Sequence, residues 1–264
     1  MQTPPNWRLP PGVTPGLWDY LHDEGLAKDC DDRLKETPLL AVDRRFAERH
    51  LPGRGRVIDL GCGTGRMLAP LAQKGCSVVG VDLAEPMLRV AREKVAGADL
   101  VKANLVELDC LAEESFDAAV CLFSTLGMVA GQVERRRVVG HAFRLLRAGG
   151  IFVLHVHNRW FNFWDRAGRR WLIGNLVRSL LGNENGGDRV MPPHSGGAGW
   201  PMHLFTRREV RRLLVGAGFE IVKIEPVSLR ADGRLPWPGW FGWLRAYGYL
   251  VAARKHQDAS AKRR

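Results

Sequence analysis

Between Val57 and Arg66 the chain reads VIDLGCGTGR. Gly61, Gly63 and Gly65 follow an apolar run, where a strand would give way to a helix. Positions without side chains permit a tight turn with positive φ. They also let a ligand touch the backbone and reach the free N–H groups of the next helix. Two ligand classes suit such a bend: a dinucleotide, or a nucleoside carrying a charged tail. The dinucleotide fingerprint has its third glycine three residues after the second, and this chain has Arg66 there. Asp59, just ahead of the first glycine, would repel a pyrophosphate and suit a positively charged ligand. Asp82 closes the next apolar run, about 20 positions after Gly61, where a carboxylate can accept two hydrogen bonds from ribose hydroxyls.

A second candidate for chemistry is IFVLHVHN. His155 and His157 alternate along a strand and so share a face. His157 is nearer the carboxyl end, the better place for a general base, with His155 second. The alternative is that both rings pack in the core against backbone carbonyls. A third ligand at matching spacing is missing, so no metal site is expected.

The elements that must position these residues follow from hydrophobic rhythm. RVIDL, SVVGVD, DLVKAN, FDAAVCLF and IFVLHVHN read as strands. GRMLAPLAQKG, AEPMLRVAREKVAG and VERRRVVGHAFRLLRAGG read as helices, the last with a glycine stop. Apolar strands alternating with helices predict an α/β fold, a doubly wound parallel sheet covered on both faces. Residues 158–204 break the rhythm; such connections usually take about 2 to 6 residues. The rhythm returns with the helix TRREVRRLLVGAG, N-capped by Thr206, and the strands FEIVKIEPVSL and YGYLVAARK. Ahead of the sheet lies a helical region in which Thr37 caps a helix starting at Pro38. The first dozen residues are expected to be flexible, and the tail HQDASAKRR disordered.

VIDLGCGTGR, VVGVDLAEPML, SFDAAVCLFSTLGMV and LLRAGGIFVLHVHN, in that order, resemble the successive motifs of class I S-adenosylmethionine-dependent methyltransferases. The resemblance implies a seven-stranded, mostly parallel sheet in the order 3-2-1-4-5-7-6, its last pairings antiparallel. It implies S-adenosylmethionine as cofactor, with Gly61, Cys62, Gly63 and Gly65 against its methionine and ribose part. Asp59 would lie near the amino group, Asp82 on the ribose hydroxyls and Leu83 against the adenine. Met87 falls in the same set. Asn104 stands where many members have an acid for the adenine amino group, with Leu105 offering its N–H. Phe123 would face the sulfonium. Residues 51–157 and 205–256 would form the cofactor-binding domain, with 1–50 a helical lid carrying Tyr20, Trp18 and His22.

The insert at 158–204 would then form a cap over the acceptor, aromatic through Trp160, Phe161, Phe163, Trp164 and Trp171. These rings could wall a flat or lipid-like substrate, or glue the cap to the domain. His203 could reach the site from the cap. Trp237, Trp240, Phe241 and Trp243 could arch over the pocket or touch a membrane surface, with packing of the last hairpin the plainer expectation.

The chain has 264 residues and a formal charge of +11. That balance allows an RNA or acidic-lipid partner, or an arginine-rich surface with no such role. Residues 158–212 hold ten arginines against four acids, a surplus that would attract an anionic substrate group or an RNA backbone. Five scattered cysteines without a CxxC pair, no secretory signal and no long apolar run suit reduced thiols and a cytoplasmic setting. The favoured reading is transfer of a methyl group to an O or N acceptor of a small molecule. The alternatives are a transfer RNA or other RNA acceptor, and a cofactor-binding protein that transfers nothing.

Overall fold

The computed structural model describes residues 3–35, 37–180, 186–191, 199 and 201–256. The tail from 257 and part of the insert lie outside the described residues. Three helices open the chain: α1 (Pro15–Leu21), α2 (Glu24–Lys35) and α3 (Pro38–His50). Thr14 and Thr37 cap α1 and α3, accepting the N–H of Leu17 at 3.3 Å and of Leu39 at 3.4 Å. Each is followed by a proline, whose fixed φ suits the first helical position.

Strands and helices then alternate through β1 (Gly55–Leu60), α4 (Leu68–Gln73), β2 (Cys76–Asp82), α5 (Glu85–Lys94), β3 (Asp99–Lys102), β4 (Phe116–Cys121), α6 (Thr125–Met128), α7 (Gln132–Leu145) and β5 (Leu146–His157). The described insert comprises a 3-10 turn (Arg159–Trp164), α8 (Arg166–Leu180), β6 (Asp188–Val190) and β7 (Pro201–His203). The chain continues through α9 (Arg207–Gly216), β8 (Phe219–Val227), α10 (Gly242–Arg245) and β9 (Gly248–Lys255).

Seven strands form one sheet in the order β3-β2-β1-β4-β5-β9-β8. Strands β1 to β5 pair in parallel, and β9 runs antiparallel between β5 and β8. With the separate β6–β7 ribbon set aside, this is the expected order, with the antiparallel pairings at the expected edge. Alternate side chains feed two cores. Ile58, Leu60, Val79 and Val81 pack on the side of Val138 and Phe205. Val57, Val78, Ala118 and Val120 pack on the side of Phe46 and Leu68.

Two local expectations change. The glycines of RAGG do not stop α7. Strand β5 starts at Leu146, and Gly149 (φ +79°) and Gly150 lie in the stretch where pairing shifts from Phe116–Leu146 to Ala118–Ile151. Pro11 and Gly12, at the end of the opening dozen, are anchored as well. The Asn104 side chain donates to Pro11 O at 2.9 Å, and Ala130 N donates to Gly12 O at 2.9 Å.

The insert is pinned by His203, only 2% exposed. Its Nδ1 lies 2.6 Å from Asp188 Oδ1 and its Nε2 2.6 Å from Glu209 Oε1. Arg135 and Arg159 approach the same two acids at 3.8 and 3.7 Å. Burial raises the Glu209 pKa, but the His203 bond and the Arg159 charge outweigh it and hold the carboxyl below its ordinary range. Glu209 also completes a capping box with Thr206 at the start of α9. Removing His203 takes a charge-assisted hydrogen bond from each of two carboxylates; His203→Ala is expected to cost about 3 kcal/mol of stability in urea unfolding. Thr206→Ala, which deletes only the cap, is expected to cost about 1 kcal/mol. Equally small losses would show that the clasp does not hold the insert.

Candidate active site

The carboxyl ends of β1, β2 and β4 face a cavity of about 520 Å³. Part of its wall is the bend after β1. Gly61 takes φ +86°, and a Cβ there would meet Thr125 Cγ2 at 2.3 Å. Gly63 takes φ +52°, with nothing within 4 Å of an added Cβ. Gly61 is therefore demanded by packing, whereas Gly63 leaves its backbone open to the cavity. Gly65 departs from expectation. It does not line the cavity; it lets the bend pack on α5, where a Cβ would lie 3.2 Å from that of Ala91.

Asp82 Oδ2 accepts Gly63 N–H at 2.8 Å, and Oδ1 accepts Ala84 N–H at 2.9 Å. Burial pushes its carboxyl above the ordinary range, opposed by the bonds from Ala84 and Gly63. Asp59, 3% exposed, is pushed up to about 7 by burial and then by the charge of Asp82, with Arg66 opposing. Asp43, Asp59 and Asp82 line this one cavity against Arg44 and Arg66. Both arginines have other acids near: Arg44 lies 3.5 Å from Glu48, and Arg66 lies 3.9 Å from Asp31. A site of net negative charge inside a chain of +11 favours a ligand with positive charge.

Cys62, Leu83, Met87, Leu105, Phe123 and Tyr20 all line the cavity, as does Asn104. The Asn104 amide is turned to the chain itself: its oxygen accepts Val106 N–H at 3.1 Å while its nitrogen donates to Pro11 O. That Asx turn already uses the group expected to meet an adenine. Burial raises the Tyr20 phenol and the Cys62 thiol, keeping both protonated. Trp18 and His22 stack on each other at 4.1 Å and do not line the cavity, although Leu17, Tyr20 and Leu21 of the same helix do.

The two histidines share a face, as strand alternation suggested, with their rings 5.5 Å apart, but that face does not open on the cavity. Neither lines the cavity among the described residues, and both are buried. His155 Nδ1 lies 2.7 and 2.9 Å from the oxygens of Asp43, which puts its proton on that nitrogen. His157 sits behind Phe123 and against Tyr247, its ring 6.5 and 4.7 Å from theirs. Burial, then His155, lowers the His157 pKa to about 3, which leaves it a feeble base. His203 is held in its clasp with Asp188 and Glu209, away from the cavity. Nor does any described residue of 158–204 line the cavity; its cover is built from 12–44.

Asp43 is the residue that sequence reasoning missed. It reaches the cavity from α3, accepts Phe123 N–H at 3.2 Å and bonds His155. The signal was there: an acid between Leu39, Val42 and Phe46 on the apolar face of a helix. Phe123 and Ser124, at φ +54° and +63°, form a left-handed pair that directs the Phe123 N–H at this carboxylate.

Residues 57–150 match the family model described as a methyltransferase domain. YqeM of Bacillus subtilis (strain 168), named as a methyltransferase, is 31% identical over 51% of this chain and 55% of its own length. The chain spans about half the length of most of the curated relatives it matches. A SAM-dependent methyltransferase from Methanosarcina mazei has a TM-score of 0.64 at 24% identity, covering 80% of this chain and 97% of its own. The 1,6-didemethyltoxoflavin-N1-methyltransferase of Burkholderia thailandensis, solved with 1,6-didemethyltoxoflavin and S-adenosylhomocysteine, has a TM-score of 0.61 at 21% identity, covering 90% of this chain and 86% of its own. These two likenesses show the fold. In its glycine bend, in the carboxylate closing β2 and in the domain matched over residues 57–150, the chain is similar to the class I S-adenosylmethionine-dependent methyltransferases.

Proposed function

We propose that the chain transfers a methyl group from S-adenosylmethionine to an oxygen or nitrogen of a small molecule, in one in-line displacement. The observation that carries this reading is the pairing of an open glycine backbone with a buried carboxylate, Asp59, and a half-buried one, Asp82, on one cavity. S-adenosylmethionine, when bound, supplies a methyl group already activated on positive sulfur. The work left to the chain is holding and orienting, which alone can lower a barrier by about 7 to 11 kcal/mol. Asp82, fixed by Gly63 and Ala84, offers its remaining lone pairs to ribose hydroxyls. Asp59 balances positive charge, and Leu83, Met87 and Leu105 give apolar walls for a base.

The acceptor end is assigned to α3. Asp43, with Phe123 N–H and His155 fixing its orientation, can take a proton from a hydroxyl or ammonium acceptor. A cavity of this volume is of the size that small molecules fill. The Burkholderia protein, with a small acceptor and S-adenosylhomocysteine both bound, supports the same arrangement. Labelled S-adenosylmethionine incubated with the chain and a lysate of its source should leave label in the small-molecule or lipid fraction. Label confined to RNA or protein would overturn the acceptor class.

Four variants test the roles. Asp82→Ala removes the acceptor of the ribose hydroxyls and is expected to weaken S-adenosylmethionine binding about 100-fold by calorimetry; unchanged affinity would sink the assignment. Asp59 has a raised pKa, so its ionisation costs the free protein stability as pH rises from 3.8 towards 7. A cationic ligand favours the ionised form. S-adenosylmethionine affinity should therefore increase by up to about tenfold per pH unit below 7 and level off above, and Asp59→Asn should flatten the profile. Asp43→Asn keeps the shape but not the base, and is expected to slow label transfer about 100-fold with cofactor affinity kept. His157→Phe should change transfer little; the opposite ranking would return the base role to His157.

A further inference from the structure

The loop before β9 and the start of the insert show solvent an unusual face. Trp237 is 79% exposed and Trp240 70%, with Phe241 and Trp243 about half exposed. These rings do not pack the last hairpin, as the plainer reading of the sequence had it. Trp237 and Phe241 take φ +51° and +49°, a left-handed backbone that bulky side chains rarely adopt. Arg245 braces that shape, donating to Pro236 O at 2.9 Å, Trp240 O at 3.0 Å and Trp237 O at 3.4 Å. The chain thus fixes an unfavourable backbone in the shape that turns large rings outward.

The face continues into the insert. Trp160 packs edge-on against Trp243 at 5.5 Å, and Trp164 donates from its indole to Leu244 O at 3.1 Å. Phe163 and Trp164 are themselves exposed. Helix α8 follows, and its polarity is reversed: Asn175 is 4% exposed while Ile173, Leu176 and Val177 face solvent. At helical spacing these three follow Arg166, Arg169 and Arg170, so the outward stripe is basic in its first turns and apolar beyond. Arg230 and Arg234 flank the aromatic loop and are exposed too.

We propose that this surface docks the chain on an anionic phospholipid bilayer, its aromatic and aliphatic side chains in the interface and its arginines on the headgroups. Indole rings favour that boundary, because an apolar body and a polar N–H are satisfied at once. Basic residues beside an apolar stripe supply the attraction to anionic lipid. A second copy of the chain fits less well: a two-fold contact sets the same patch against itself, which doubles its surplus of arginine and brings no anionic counterpart to it. RNA would use the arginines and rings but leaves Ile173, Leu176 and Val177 without a partner. No helix among the described residues is long and apolar enough to cross a membrane, so the docking is peripheral. The inference stands apart from the transfer reaction, and its test needs no acceptor.

The test is co-sedimentation of the full chain with vesicles of phosphatidylcholine alone or mixed with phosphatidylglycerol. The wild type should pellet with the mixed vesicles, release with added salt, and shift its tryptophan emission to shorter wavelength on binding. The triple variant Trp237→Ser, Trp240→Ser, Phe241→Ser should bind at least about tenfold more weakly. Arg169→Glu with Arg170→Glu should lose the preference for anionic lipid. Far-ultraviolet dichroism and S-adenosylhomocysteine binding like those of the wild type would show that the variants fold. No pelleting of the wild type, or equal pelleting of the folded triple variant, overturns the proposal. So does a dimer that the triple variant abolishes, or binding to single-stranded RNA in place of vesicles.

Discussion

Asp82 accepts the Gly63 N–H with one oxygen and the Ala84 N–H with the other. That pair of bonds ties the bend after β1 to the end of β2 and sets the shape of the cleft. A half-buried carboxylate is costly unless it is bonded, and here the bonds come from backbone that the cleft needs held open. Gly63 keeps its left-handed turn, Ala84 starts α5, and the remaining lone pairs face the cavity. Asp59 behind it feels the same burial and the same negative charge, which is why its proton is held to about 7. The cleft is built for a cation before any cation is in it.

Much of this could be read from the chain, and the reasons differ by element. Strands β1, β2 and β4 and the second half of β5 are mostly buried, so they appear as apolar runs that chain order alone arranges. The glycines were legible because no other residue takes their turn, although Gly65 proved to serve helix packing. The acceptor end was not legible. Strand alternation put His155 and His157 on one face but could not say that the face looks into the core. Asp43 belongs to a helix far away in sequence, and only the folding of α3 over the sheet brings it to Phe123 and His155. The insert misled for a similar reason. Its rings look like a pocket lining, and the described ones lie beside the cleft and outward from it.

Charge is sorted by place. The exterior is rich in arginine and the cavity in aspartate, so the +11 of the whole chain says little about the ligand inside. The two patterns serve different contacts: short-range pairing within the cleft, and longer-range attraction of anionic surfaces outside it, the part that salt screens most.

One side chain ties the cover of the cavity to two neighbouring elements. Asp31 of α2 accepts the Thr64 hydroxyl at 2.5 Å, lies 3.9 Å from Arg66 and pairs with Lys94 of α5. These contacts latch the opening helices onto the bend after β1 and onto α5. That latch sits on the bend whose Gly61 and Gly63 wall the cavity. Because it is polar and half-buried, ionic strength can loosen it while the apolar walls below stay closed. Latch and walls are thus held by different forces, and evolution can retune one without touching the other.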